Sequence, residues 1–599
     1  MPRLQSGVWK HFTPAIKNGR ETVMCNYCTK TCTKNATKMQ MHLDKCKEYS
    51  VATQQSPAPD GCSAASVPVP SFSSYLPSAN PAGPFLIDSV DQRSQAYADE
   101  FLARAVYATS SSLSLTENIY WKRFFNVLRP AYCPPTREAL SSHLLECEHD
   151  RVQNQVRDAI GKADSLTIMC SGFSHLKDNG TIVYVVATPE PLFYKCTKTK
   201  EPTNRGSFIV QELKGIINKV GAQKVFAVIT DDCPEMAAAR SQVEEVFPHI
   251  SVIGCTAYGI QRLFEDLVAQ PSMKVLCRRA EQVVRHVKEC KVLEDTFNSW
   301  QSTKLRTNAS DRTTLALPNS CDWTGVLKMF SSLLDGQSAL QEMAISPNLT
   351  VEASVRATLQ DSAFWKGLLS SHNLLQLVRN STDQMKREGA VLSGVVDMFS
   401  QLRYHIGNSL LGSVLHSTEQ KAVLASLDRC EELCVKPIHA AAYMLDPKYV
   451  GQQTLTGEQI NSAYFVISTL SHHLNLDEGK VLASFARFSA KQGLWKGSGI
   501  WSSCQHVSAF TWWKGLCSSE PLSAVAAAIL QIPPSTGVCE SLRSRLCNVK
   551  TEGSLTADGL EKLVAVQANL NLLEPSDFEF MPLEREEEEK KVFFQSETQ

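Results

Sequence analysis

Cys25 and Cys28 stand two residues apart, thirteen residues separate Cys28 from His42, and three separate His42 from Cys46. A pair of thiols at CxxC spacing can grip one ion from a tight turn. An imidazole and a thiol at i and i+4 fall on one face of a helix and can complete a tetrahedron around it. The chemistry implied is structural binding of Zn2+ by Cys25, Cys28, His42 and Cys46. A segment of this size cannot bury enough apolar surface to fold alone, so the metal would supply much of its stability, about 10–16 kcal/mol in isolated fingers. A second ligand set would replace one thiolate with Cys32, four residues past Cys28. Because the CxxC pair already makes the turn, Cys32 is read as a packing or spare residue.

The same segment is basic. Residues 1–50 carry nine lysines and arginines against three acids, an excess of six, whereas the whole chain has a net charge of −1. A local excess of this size attracts phosphate, and any DNA affinity it confers should fall steeply with salt. Lys34 and Lys38 lie four apart near the start of the expected ligand helix, where a recognition helix meets the major groove. With Lys30 and Lys45 they form the predicted DNA-binding set.

The stretches "VWKHF" (Val8 to Phe12), "MCNYC" and "NATKMQMHLDKC" resemble a BED-type zinc finger over residues 6–50. The resemblance implies a ββα-like unit in which Trp9 and Phe12 pack beneath the zinc-bound helix.

The elements behind this segment are those of a large globular protein, with 43% hydrophobic and 20% charged residues over 599 positions. The N-terminus lacks the apolar core of a signal peptide, and no run of eighteen apolar residues occurs. The expectation is therefore an intracellular protein with no membrane partner. Its twenty cysteines are read as reduced thiols and zinc ligands. Residues 51–90 are rich in Ser, Pro and Ala and read as a linker. Residues 91–156 read as helical, with Phe101, Ala105 and Ala108 on one face, and Leu140, Leu144 and Leu145 on another.

Between 157 and 270 three closely spaced strands give way to alternating helices and strands, the first part of an α/β domain. Residues 271–500 read as an all-helical insertion. Residues 501–575 resume the α/β domain, and 576–599 form an acidic tail. Trp512 and Trp513 are expected in the core. His472 and His473 read as an isolated pair on a helix without Cys or acid partners and are expected on the surface.

In their order, several patches from about 96 to 573 resemble the hAT superfamily of DNA transposases. They are "VITDDCPEMAAARSQVEEVFPHI", "GCTAYGIQRLFEDLV", "AAAYMLDPKYVG" and "ILQIPPSTGVCESLRSRL". The resemblance implies an RNase H-like domain interrupted by the helical insertion, with a C-terminal dimerisation region. It also implies a cluster of carboxylates that would hold two divalent ions around a scissile phosphate. Asp231 falls on the family's second catalytic Asp and Glu540 on its catalytic Glu. The first Asp falls on Ser171, preceded by Cys170, and neither can hold magnesium as a carboxylate does. Asp164 begins that strand rather than ending it, and Asp178 lies in the following turn. Tyr258 replaces the His of the family's Cys-x-x-His after Cys255. Cys539 and Ser541 replace the Ser and Arg of its Ser-Glu-Arg core.

With one acid missing, Asp231 is read as a helix cap and Glu540 as a solvated side chain. The expected function is that of a domesticated transposase without strand cleavage, and so not an enzyme. It would be a nuclear, zinc-dependent DNA-binding homodimer that regulates transcription or chromatin with co-regulators. The rival readings are a transposase that still cuts with magnesium, and a scaffold whose finger binds protein.

Overall fold

In the computed structural model of the protein, the described residues are 11–17, 20–28, 30–33, 35–43, 45–46, 90–172, 181–198, 205–304, 314–318, 324–387, 389–549 and 555–573. They belong to two compact units, one within residues 1–86 and one within 87–599. The expected linker at 51–90 and the acidic tail at 576–599 fall almost wholly or wholly outside the described residues, as do Trp9, Lys34 and Asp178. Among the described residues no disulfide bond is present, and no helix is long and apolar enough to cross a membrane.

In the first unit, β1 (Phe12–Lys17) pairs antiparallel with β2 (Arg20–Cys25), and β2 pairs antiparallel with β3 (Thr31–Thr33). Helix α1 (Ala36–Leu43) follows, with the Asn35 side chain accepting from the Lys38 N–H at 3.3 Å in the manner of an N-cap. Among the described residues, Phe12, Val23, Cys25, Met39, Leu43 and Cys46 make its core. A core of that size holds little by apolar burial alone.

The second unit is mostly helical around one mixed sheet. Its helices include α2 (Gln92–Ala108), α3 (Ile119–Leu128), α4 (His143–Lys162), α5 (Arg205–Val220), α6 (Pro234–Val246), α7 (Thr256–Val268), α8 (Ser362–Lys386), α9 (Gly537–Val549) and α10 (Ala557–Leu573). The strands are β4 (Leu166–Ser171), β5 (Thr181–Ala187), β6 (Pro191–Lys198), β7 (Val225–Thr230) and β8 (Ser251–Gly254), in the order β6-β5-β4-β7-β8. β4–β5 and β5–β6 are antiparallel, whereas β4–β7 and β7–β8 are parallel.

The near-continuous apolar runs of β4, β5 and β7 are explained by burial on both faces. Ile168, Cys170, Tyr184 and Val228 meet α4, α5 and α6 through Val156, Leu213 and Met236. The alternate positions Met169, Val183, Val185 and Ile229 meet the C-terminal helices through Trp513, Val525, Ile529 and Val564.

From Pro271–Glu289 to Ala509–Leu516 the described chain is helical, with a separate core around Phe330, Phe364 and Phe399. α9 and α10 then return to the sheet. Trp512 and Trp513 are buried, as their sequence context suggested.

One expected helix face is displaced and one expected helix is interrupted. In α2 the buried side chains are Ala103, Val106 and Tyr107, not Phe101, Ala105 and Ala108, because Tyr107 donates its hydroxyl to Leu140 O at 2.7 Å and turns that face inward. Leu140 lies in a short helix (Arg137–Ser141) separated at Ser142 from the helix of Leu144 and Leu145, yet all three meet in one core, as their spacing suggested.

Candidate metal centre and a remnant carboxylate site

Cys25 closes β2, Cys28 sits in the turn after it, His42 lies in the last turn of α1, and Cys46 follows that helix. The turn is held by Cys25 N–H donating to Lys30 O and Asn26 N–H donating to His11 O, each at 3.0 Å. The ligand atoms of Cys25, Cys28, His42 and Cys46 all lie within 4.8 Å of one another. Cys28 Sγ and His42 Nε2 are 3.2 Å apart. Bond lengths of about 2.3 Å to sulfur and 2.0 Å to nitrogen give a tetrahedral edge of roughly 3.6 Å, between that separation and the 4.8 Å limit, so small side-chain shifts separate this arrangement from a coordinated one. Three thiols and one imidazole form a closed set that can hold a metal ion structurally, with zinc the usual occupant, and leave no position for a substrate.

Cys46 reaches the cluster differently from its i+4 spacing. α1 ends at Leu43, and the N–H groups of Lys45 and Cys46 donate back to His42 O and Leu43 O, each at 3.1 Å. A turn, not the helix face, delivers the fourth ligand. Phe12 lies edge-on to His42, with ring centroids 5.8 Å apart, and helps fix the imidazole. Cys32 stands in β3 opposite Val23. Lys30, Lys38 and Lys45 are exposed, whereas Lys34 lies outside the described residues.

The acids of the second unit form a different environment. Asp231 follows β7 beside the end of β4, where Cys170 pairs with Thr230. It is 2% exposed. One carboxylate oxygen accepts from Ser171 Oγ and from the Gly172 N–H, each at 2.9 Å, and the other accepts from Thr536 Oγ1 at 3.0 Å. Burial pushes the Asp231 pKa up and outweighs the three donors that pull it down. The reading of Asp231 as a helix cap is therefore corrected. Cys233, the N-cap of α6, makes no side-chain cap, and Asp231 is instead a buried acceptor for Ser171, Gly172 and Thr536.

Gly172 is required here, because a Cβ at that position would lie 2.6 Å from Thr181 O. Beyond Asp231, Asp232 pairs with Arg240, whose guanidinium also donates to Thr230 Oγ1 at 2.7 Å and Asp231 O at 2.8 Å. These contacts fix the end of β7.

Glu540, in the first turn of α9, is not free in solvent as expected. Lys386 Nζ, at the end of α8, donates to its Oε2 at 2.6 Å. A cleft of about 630 Å³ opens beside this pair, lined in part by Lys386, Arg387, Ser541 and Arg545. Buried Cys170, Cys255 and Cys539 complete the surroundings of Asp231, their thiols pushed up first by burial and then by its charge. Among the described residues, Asp231 and Glu540 gather no group of three metal-ligating side chains. Asp164 lies at the opposite end of β4, where it pairs with Lys514 at 2.9 Å.

Residues 135–284 match the family model described as "Domain of unknown function (DUF659)". This is a domain of hAT-family transposases, associated with their dimerisation region, and it relates this part of the chain to those proteins. The matched segment contains α4, the whole five-stranded sheet, Ser171, Asp231 and Cys255. Glu540 and the Cys/His cluster lie outside it. No curated protein matches the chain at a significant level.

Sequence reasoning missed Lys386 and Thr536, which local spacing could not signal. It also left His472 and His473 without partners. The turn after their helix brings Glu478 to 3.0 Å from His472, and His473 stacks on His249 with centroids 4.1 Å apart.

Proposed function

We propose that this is a nuclear, zinc-dependent DNA-binding protein of hAT-like descent, which regulates transcription or chromatin as a homodimer and does not cut strands. One contrast carries the reading. The Cys25/Cys28/His42/Cys46 set is complete, while the acidic site has a hydroxyl at Ser171 and an ammonium against Glu540.

The strand order β6-β5-β4-β7-β8, with three antiparallel strands joined to two parallel ones, supports an RNase H-like body. In such a body, two-metal cleavage needs carboxylates at the ends of the two central strands and on a facing helix. Ser171 supplies none, and the Lys386 charge competes with any cation at Glu540. The first unit supports a BED-like finger that binds Zn2+. Exposed Lys30, Lys38 and Lys45, with Lys34, would meet DNA phosphates or base edges. A homodimer would place two fingers on one duplex and raise affinity by effective concentration. The DUF659 match supports self-association. Chromatin or transcription co-regulators would be recruited by the body.

A second reading, an active transposase, is favoured by the retention of both Asp231 and Glu540. The test is a nicking assay on a selected duplex with magnesium and with manganese. The proposal expects binding without nicking. Nicking that Asp231→Ala abolishes would establish the transposase instead.

A further inference from the structure

Helix α3 (Ile119–Leu128) has no buried residue, although six of its ten side chains are large and apolar and outward-facing. Tyr120 is 73% exposed, Phe124 50%, Val127 82% and Leu128 65%. At 100° per residue, Tyr120, Trp121, Phe124, Val127 and Leu128 share one side, and Lys122, Arg123 and Asn126 share the other. The exposed apolar area is on the order of 600 Å², at the upper end of what a monomer leaves uncovered. One cation borders this face. The Arg123 guanidinium lies 6.0 Å from the Tyr120 ring centroid, whereas Lys122 lies on the far side and Arg129 faces Asp91.

We propose that this face is covered by the chain's own C-terminal segment, residues 574–599. Three observations select that occupant. Its charge is opposite, with nine acids against three bases, and its first ten residues combine Glu574, Asp577 and Glu579 with Phe578, Phe580 and Met581 and no base. Its starting point is suitable. α10 ends at Leu573 and packs on α2 and α4, and Leu555 and Leu563 share a core with Leu113, six residues before α3. Its length is sufficient, since ten extended residues span at most about 33–36 Å, more than the roughly 26 Å of α10. A second copy of α3 is the poorer fit, because it would bring a second Arg123 to the rim of the face and no acid to meet it. The docked segment combines aromatic contacts with charge pairing, so salt loosens it without abolishing it.

The test is hydrogen exchange of the 119–128 amides in the full chain, in a chain ending at Leu573, and in full-length Phe578→Ser/Phe580→Ser. If the segment is docked about nine-tenths of the time, exchange in both variants should be roughly tenfold faster than in the full chain. A synthetic 574–599 peptide should slow it again in the truncated chain. The full-length double variant keeps the test decisive if truncation impairs folding. Equal rates in all three proteins would overturn the proposal. Slow exchange throughout that quickens on dilution would assign the face to a second copy, and fast exchange throughout would leave it to another partner.

Discussion

Ser171 Oγ donates to Asp231 Oδ2 at 2.9 Å across the ends of two central, parallel strands. Where a two-metal site would oppose two carboxylates, this chain opposes a carboxylate and a hydroxyl, joined by a direct hydrogen bond. The site is closed upon itself. Gly172 and Thr536 supply the remaining donors, and Lys386 occupies Glu540.

Asp231→Asn should leave stability unchanged or raise it by up to about 1 kcal/mol. Burial already disfavours the charged form, and an amide keeps an acceptor for the surrounding hydroxyls. Thermal unfolding checks this. A loss of more than about 2 kcal/mol would mean that the ionised form is needed structurally.

Ser171→Asp should destabilise the second unit by about 2–4 kcal/mol in chelator, because it sets a second carboxylate against a buried one. Millimolar manganese should recover part of that loss, and more of it when Lys386→Ala is added. The melting temperatures of the four combinations, with and without metal, decide the matter. Metal-independent destabilisation in both variants would argue against a lost cation site.

One Zn2+ per chain is expected, removable by a strong chelator. Cys25→Ser should abolish stoichiometric binding, whereas Cys32→Ser should retain it, since Cys32 sits in β3 opposite Val23. Cobalt substitution reads the ligand set directly. A spectrum altered by Cys32→Ser as strongly as by Cys46→Ser would reassign the fourth ligand.

Acid should weaken the second unit through His439. Its pKa is held down to about 3, chiefly by complete burial, while its Nδ1 accepts from the Lys436 N–H at 3.1 Å. The unfolded imidazole takes up a proton near pH 6.5 and the folded one does not, so stability falls as pH drops through that value and levels only near pH 3. The term is about 2 kcal/mol between pH 7 and pH 5. Chemical denaturation of wild type and His439→Gln at both pH values should show a flatter profile in the variant. Parallel profiles would exclude His439 as the source.

The metal cluster was readable because its four ligands lie within twenty-two positions and their spacing is itself the geometry. Even so, the turn that carries Cys46 replaced the expected helical face, since α1 stops at Leu43. The strands were visible as apolar runs because both faces of β4, β5 and β7 are buried. The contacts around the acids were not visible. Lys386 lies 154 positions from Glu540 and Thr536 lies 305 from Asp231, so only the folded helical region brings them together. The bare side of α3 was not visible either. Its residues read only as part of a helical stretch, and nothing in their spacing signalled that the described residues would leave its apolar side bare.

The most direct test is selection from a random duplex pool with zinc-loaded, full-length protein at near-physiological salt, alongside Cys25→Ser/Cys28→Ser. Enrichment of a defined motif, as a pair of half-sites, by the wild type alone is the predicted result. Equal enrichment by the double variant, or no enrichment by either, would contradict zinc-dependent sequence recognition and leave the finger as a protein-binding module.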